Sequence, residues 1–522
     1  LNLPPPSTFG LPSKFIAWRK NQAEACQSII DSEERFLLQV CPTGSGKSIT
    51  YVTASQLISG RTVILTSTKG LQTQLMADFG RMPGVVDIRG RGNYPCRMNS
   101  QVNCDIGPCV FGVKCSMKEE GGCFYFDQVK KARKFAKVVI TNYAYWMSQN
   151  EFSDGLGPFD MLILDEAHSA PDHINDHISV SFNKKNKMEN RMLDLDGSLP
   201  NNCESWSMWA SEKLQDVQLD METAKVNRKE KLYLALKRIA EKLKRLDGSM
   251  DNTWLWEDNP ESVILSPVWP ARFSEAVLFL GVPKVVLTSA TVVPKTAKLL
   301  GIPTESVKFE EYPHSFPVEN RPLIHVPTVR LNYKVGDMEN RLWLNRVDQI
   351  IRPRLGTKGI IHTVSYARRD MVIQHSSFSE HMITHNRADT EDVIRGFKRS
   401  EAPAILVSPS MATGWDFPDD ECRWQVIIKL PYPDTRGTIM RERSKRDSEF
   451  TAYITMQQLI QATGRGTRSQ GDWCETFILD NNIVWFLTKY RNLSVDWFDG
   501  AYRVSKTVPL PLNNQMEEIS YE

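Results

Sequence analysis

Three short stretches carry residue types that could act together on phosphate. The first is Cys41-Pro42-Thr43-Gly44-Ser45-Gly46-Lys47-Ser48, set between an apolar run and a helix-like one. Glycines let backbone N–H groups turn inward around phosphate oxygens, Lys47 can reach the β- and γ-phosphates of ATP, and Ser48 can ligate Mg2+. The second is Asp165-Glu166-Ala167-His168, at the end of the run MLIL. A carboxylate at the C-terminal edge of a strand is placed to hold magnesium, here Asp165, and the acid beside it, Glu166, to polarise an attacking water. Alone, such a pair is explained about as well by capping of the next helix. The third is Gln461-Ala462-Thr463-Gly464-Arg465-Gly466-Thr467-Arg468. Gln461 opens it, and Arg465 and Arg468, three apart, share one face from which they could neutralise charge developing on a γ-phosphate.

A second kind of chemistry lies between the first two stretches. Cys96, Cys104, Cys109, Cys115 and Cys123 crowd together, whereas Cys26, Cys41, Cys203, Cys422 and Cys474 are scattered. In an intracellular chain, such crowding suggests metal ligation before disulfides.

The elements that must position these residues follow from hydrophobic patterning. FLLQV, TVILT, KVVIT, MLILDE and KVVLT read as short strands covered on both faces, and ITYVTASQLIS as a helix. They fit one doubly wound domain, 1–89 with 131–169 and 281–319, interrupted by the cysteine segment 90–130 and by a helical insertion, 170–280. In that insertion Leu232, Leu236, Ile239, Leu243 and Leu246 form one apolar stripe. Lys237, Arg238, Lys242, Lys244 and Arg245 fall mainly off it; a solvated face is the plain reading and a strip facing nucleic acid the sharper one. A second α/β domain, 320–522, repeats the rhythm with GIIHTV, AILVS, WQVIIKL and ETFILD. The 522 residues, 41% hydrophobic and 24% charged, suit several globular units and exclude a mainly disordered or fibrous chain. A net charge of +2 neither announces nor excludes a nucleic-acid partner. No apolar run approaches the roughly 20 residues of a membrane span, and LNLPPPSTFG lacks the order of a signal peptide, so a soluble, cytoplasmic protein is expected.

Taken in order, these motifs resemble those of superfamily-two DNA helicases of the XPD/DinG type, over nearly the whole chain. Arg19 and Gln22 resemble the adenine-side motif, CPTGSGKS motif I, TSTKGLQTQL motif Ia, DEAH motif II, Ser289-Ala290-Thr291 motif III, SPSMATGWD motif V and QATGRGTR motif VI. DEAH alone would also suit RNA helicases; the two insertions select this branch. The resemblance implies two RecA-like motor domains. ATP would lie against Arg19, Gln22, Thr43, Gly44, Ser45, Gly46, Lys47, Ser48 and Asp416, with Mg2+ on Ser48 and Asp165. It also implies a four-iron, four-sulfur (4Fe-4S) cluster in the first insertion and an arch in the second, with DNA threading between. GRGNYPC, ending at Cys96, resembles the segment of the first cluster ligand, and Cys123-Phe124-Tyr125 followed by Asn142 resembles that of the last. Cys109 and Cys115 complete the expected set, with Cys104 as substitute; the uneven gaps lack the paired knuckles of a zinc site. One departure stands at motif V, where Thr413 occupies the place of an acid before Gly414-Trp415-Asp416.

The reading that follows is an ATP-dependent helicase on single-stranded and forked DNA, moving 5′ to 3′ by resemblance. An RNA-directed or non-unwinding translocase, a non-catalytic nucleic-acid scaffold and a redox sensor are the alternatives. Thr68 and Lys69 in the first domain, and Ser365, Ser408 and Ser410 in the second, are expected at the strand, since short hydroxyls and backbone amides suit sequence-independent phosphate contacts. A compact motor without the nuclease extension of some relatives suits a bacterium or a bacteriophage-infected cell.

Overall fold

The computed structural model describes residues 3–248, 250–332, 334–410 and 415–512. Strands β1 (Phe36–Val40), β2 (Thr62–Thr66), β3 (Val85–Asp87), β4 (Val138–Asn142) and β5 (Met161–Asp165) enter the first sheet. Next, β6 (Val180–Asn183), β7 (Trp254–Asp258) and β8 (Ser262–Pro267) stand apart, and β9 (Lys284–Ser289) and β10 (Val307–Glu311) return to complete it. The second sheet holds β11 (Leu323–Val329), β12 (Gly359–His362), β13 (Met382–Thr384), β14 (Ile405–Ser408), β15 (Trp424–Ile427), β16 (Glu475–Asp480) and β17 (Tyr502–Val504).

Both large sheets are parallel, in the orders β10-β1-β9-β5-β2-β4-β3 and β13-β14-β12-β15-β16-β11-β17. The fold is α/β with two RecA-like units. The central strands are buried along their length because helices cover both faces, which is why β1, β2 and β5 read as unbroken apolar runs. Each fully buried Leu, Ile or Val contributes roughly 1.5–3 kcal/mol. Leu164→Ala would open a cavity directly beneath Asp165 and cost about 2–5 kcal/mol.

Strand order decides where the chemistry sits. β9 lies between β1 and β5, with Val40 opposite Ser289 and Asp165 opposite Thr288. Motifs I, III and II therefore emerge side by side from one sheet edge, though Cys41 and Ser289 are far apart in sequence.

The second insertion is not wholly helical. The helices Cys203–Val226 and Glu230–Leu246 pack on each other, and on the latter Leu236, Ile239, Leu243 and Leu246 of the expected stripe are buried, whereas Leu232, in the first turn, is exposed. Beside them β6, β8 and β7 form an antiparallel sheet. Its strands are short; β7 and β8 form a hairpin, whereas β6 is separated from its partner β8 by three helices and by β7, a pairing that local patterning does not show. Among the described residues, no helix is long and apolar enough to cross a membrane.

Candidate functional site

The phosphate-binding loop leaves β1 at Cys41, whose amide donates to the Ser289 carbonyl at 2.9 Å. Gly44 and Gly46 hold left-handed φ angles of 73° and 75°, which a side chain would resist. A Cβ on Gly44 would also stand 2.6 Å from the Phe316 ring. The loop ends at Lys47, first residue of the helix Lys47–Leu57, whose N-terminus borders the loop.

Lys47 bonds Glu166 and stands 3.5 Å from Asp165. Burial pulls the ammonium pKa down, but the two carboxylates outweigh it and hold it above its ordinary value. Burial also works against ionised Glu166, yet Lys47, His168 and Arg465 bring that acid down to about 2. Asp165 goes the other way, because burial outweighs the pull of Lys47. Tyr51 donates to its Oδ2 at 3.2 Å and Tyr143 to its backbone carbonyl at 3.1 Å. Glu166 has a left-handed φ of 52°, a strained choice for a residue with a side chain.

Arg19 and Gln22 brace the loop from outside. Gln22 donates to the Ser45 carbonyl at 2.7 Å and accepts from the Arg19 amide at 2.8 Å, while Arg19 Nη1 reaches the Gly44 carbonyl at 3.4 Å. Both ends of the Gln22 amide are thus tied to backbone. The Ser45 hydroxyl is buried without a partner among the described residues, and Ser48 lies beside the Tyr51 phenol. Thr43 touches the second sheet: a Cβ on Gly464 would come within 2.5 Å of its Oγ1.

Across the cleft, Gln461 near the end of the helix Phe450–Thr463 bonds His168 Nε2, and His168 Nδ1 meets Ser289 Oγ at 2.7 Å. One imidazole therefore joins motifs II, III and VI. Burial lowers its pKa to about 4, so the ring is neutral; with Nε2 accepting from Gln461, its proton faces Ser289. Arg465 donates to the Trp415 carbonyl at 2.7 Å and lies 3.8 Å from Asp416, which Arg468 also bonds. Burial lowers both guanidinium pKa values, Arg465 to about 10, and Glu166 opposes the shift in both. Asp416 thus pairs with both arginines. Thr413 and Gly414 of motif V lie outside the described residues.

Of the residues expected at a nucleic-acid strand, Thr68 and Ser365 cap the helices that follow β2 and β12, accepting from the Leu71 and Arg368 amides at 3.2 and 3.3 Å. Lys69 is exposed beside Thr68. Ser408 is a correction: it is fully buried, with its hydroxyl held by His385 at 2.9 Å and by Ser410 at 3.3 Å, so it positions Ser410.

The five clustered cysteines come together. Four are buried and Cys109 is half-buried. Burial and then the adjoining Cys123 push Cys104 up to about 12, and burial and then Cys115 raise Cys109. Among the described residues, no three thiols, imidazoles or carboxylates converge as a single-ion site requires. The donor chemistry, thiols alone, is of the kind that holds a group spread over several thiolates, and Gly107 lets the backbone pass close to one of them: a Cβ there would stand 3.0 Å from Cys96 Sγ. Next to this cluster lies a cavity of about 760 Å³ lined by Arg91, Tyr125, Tyr145, Gln149, Lys237 and Lys244. Two of the insertion's cations thus face a cavity, whereas Lys242 pairs with Glu189 and Arg245 with Glu151.

Sequence reasoning missed Tyr51, Tyr143 and Trp497. The Trp497 indole donates to the Ala290 carbonyl of motif III at 3.0 Å. No spacing signals such residues, since a buried aromatic reads as core until its polar atom is seen to meet a motif.

A phosphate-loop sheet with an Asp-Glu pair on its edge, facing a second α/β unit in which two arginines follow the helix Phe450–Thr463, is an arrangement suited to a two-domain nucleotide-driven motor. Residues 15–195 match the family described as type III restriction enzyme, res subunit, and residues 355–500 the helicase C-terminal domain family. The ATP-dependent DNA helicase CHL1 of Saccharomyces cerevisiae (strain YJM789) is 25% identical over 122 residues, 19% of this chain and only 14% of that protein's length. A solved XPD helicase superposes with a TM-score of 0.65 at 14% identity, covering 93% of this chain and 98% of the other. The S. tokodaii Xpd4 structure gives 0.59 at 13% identity, covering 93% and 100%. At such identities these two likenesses are of fold. The two matched families fall one on each motor unit, and the fold is that of the XPD helicases.

Proposed function

We propose that the protein is an ATP-dependent DNA helicase that translocates 5′ to 3′ along single-stranded DNA. The observation that carries this reading is the meeting of Lys47, Asp165 and Glu166 with Gln461, Arg465 and Arg468 in one cleft. Lys47 leaves Glu166 for the β- and γ-phosphates, and Arg465 and Arg468 leave Asp416 for the γ-phosphate. Mg2+ held by Ser48 and Asp165 would offset phosphate charge. Freed of Lys47, Glu166 rises toward its ordinary pKa and takes a proton from the water that attacks the γ-phosphorus as its bond to the β–γ bridging oxygen breaks. Breaking and remaking the Gln461–His168 contact couples that event to movement of the second sheet.

The cavity of about 760 Å³ supports passage of a single strand, because cations and tyrosines on its wall suit phosphates and stacked bases. A DNA substrate is supported by the named activity of the yeast relative; the 5′ to 3′ polarity rests on family resemblance. Cys96, Cys109, Cys115 and Cys123, with Cys104 as the alternative, would hold a four-iron, four-sulfur cluster whose bonds tie the glycine-rich insertion together.

The test is ATP turnover with and without single-stranded DNA or RNA, unwinding of duplexes with a 5′ or a 3′ tail, and iron analysis with a visible spectrum. DNA-stimulated turnover, unwinding from the 5′ tail and bound iron are expected. Turnover indifferent to DNA would overturn the motor reading, unwinding from the 3′ tail alone the polarity, and zinc without iron the cluster.

A further inference from the structure

The helix Thr438–Arg446 belongs to the second motor unit, yet both its ends are seated on other parts of the molecule. At its start, the Thr438 amide donates to Glu257 of β7 at 2.9 Å, and a Cβ on Gly437 would stand 2.9 Å from the same carboxylate. In its last turn, Arg443 donates from Nε to the Val268 carbonyl at 2.6 Å and from Nη2 to the Pro267 carbonyl at 3.2 Å, just past β8. The same Nη2 meets Asn175 Oδ1 at 2.5 Å. Asn175 lies on the helix Ala170–Ile178, which begins two residues after His168, and also accepts from Ser266 of β8 at 3.0 Å. Arg443 is 7% exposed, and its guanidinium carbon stands 5.8 Å from the ring centroids of both Trp269 and Phe450. A cavity of about 20 Å³, room for one water, is lined by both His168 and Arg443.

We propose that Arg443 is a positioning residue that carries the nucleotide state of the cleft to the second insertion, by clasping the motif II helix, the end of β8 and the second motor unit in one buried fork. The inference rests on the ATP-driven motor reading and adds to it how the insertion is told that ATP has bound. A guanidinium suits this role because its donors diverge in a fixed plane and can hold three acceptors on two other segments, which an ammonium cannot do with the same geometry. The three hydrogen-bond acceptors are neutral oxygens, and the carboxylates of Asp172 and Asp176, on the same helix as Asn175, add an electrostatic hold on the guanidinium. When Gln461 moves against His168, the helix Ala170–Ile178 and the helix Thr438–Arg446 shift relative to each other, and β8, bonded to both, must follow.

Two measurements test this. Arg443→Met keeps the stem between Trp269 and Phe450 and removes the donors. It should leave the KM for ATP and DNA-stimulated turnover within about threefold of wild type while unwinding falls about 10-fold. A parallel fall in turnover and unwinding, or no fall in either, would overturn the proposal. Should that variant fail to fold, amide exchange on the wild-type protein with and without a non-hydrolysable ATP analogue decides independently. Segments 170–178, 263–270 and 438–446 should change protection together with the loop 42–48; a change confined to the loop refutes the clasp. No change even in the loop refutes the nucleotide-binding reading, and this inference with it.

Discussion

Replacing Glu166 by Gln should have two opposite effects that separate its roles. Without nucleotide, Glu166 is the closer of two carboxylates on Lys47, with Asp165 at 3.5 Å. ATP must win the lysine away from that partner. A charge-assisted hydrogen bond contributes about 1.5–3 kcal/mol. Partial exposure of both side chains, 19% and 25%, and the retained attraction of Asp165 reduce the loss to about 1 kcal/mol. Glu166→Gln should therefore bind ATP about fivefold more tightly, while turnover falls by about 10²–10⁴ because the proton acceptor is gone. Titration with a fluorescent ATP analogue, run beside steady-state turnover, reads both quantities on one preparation. Binding that stays equal or weakens while turnover falls would show that Glu166 does not compete for Lys47; normal turnover would assign the base elsewhere.

Three further outcomes are expected. Arg465→Ala should keep ATP binding within a few-fold and lower turnover by about 10³ or more, as loss of a phosphate-facing arginine does in related chemistry; retained turnover would leave Arg465 to its bonds with Trp415 and Asp416. Cys115→Ser should remove bound iron and unwinding while some ATP turnover survives, since the cleft residues lie outside 90–130; a variant that keeps iron and unwinds would strike Cys115 from the ligands and promote Cys104. His362, buried and lowered to about 4, binds its proton less readily folded than unfolded. Its contribution to stability is therefore lost as pH falls from about 6.5 toward 4, by about 2 kcal/mol at pH 5. Thermal melting of His362→Gln should depend less on pH over that window than wild type does; equal dependence would refute the assignment.

The motor core was legible because its strands are buried on both faces, so FLLQV, TVILT, MLILD and ETFILD stand out as short β-branched or apolar runs next to the motifs they position. The cleft was legible where chemistry demands residue types at fixed spacing, as with Lys47 beside its glycines or Arg465 beside Arg468. What escaped depends on contacts between distant segments. β6 pairs with β8 across three helices and β7, Ser408 is held by His385, Gln22 turns inward to Ser45, and Trp497 and Arg443 act on parts of the chain far from their own. None of these leaves a period or a motif.

The strand order has a consequence for how such a chain assembles. β3 and β4, which flank the cysteine insertion, are neighbours in the first sheet, as are β5 and β9, which flank the larger one. Each insertion thus leaves and re-enters at adjacent points, where an ordinary crossover would serve. Stretching a crossover from about a dozen residues to about a hundred is roughly three doublings of length and adds only about 2 kcal/mol of closure entropy. The first sheet can therefore close before either insertion is ordered, and each can fold late on a scaffold that already holds its two ends together.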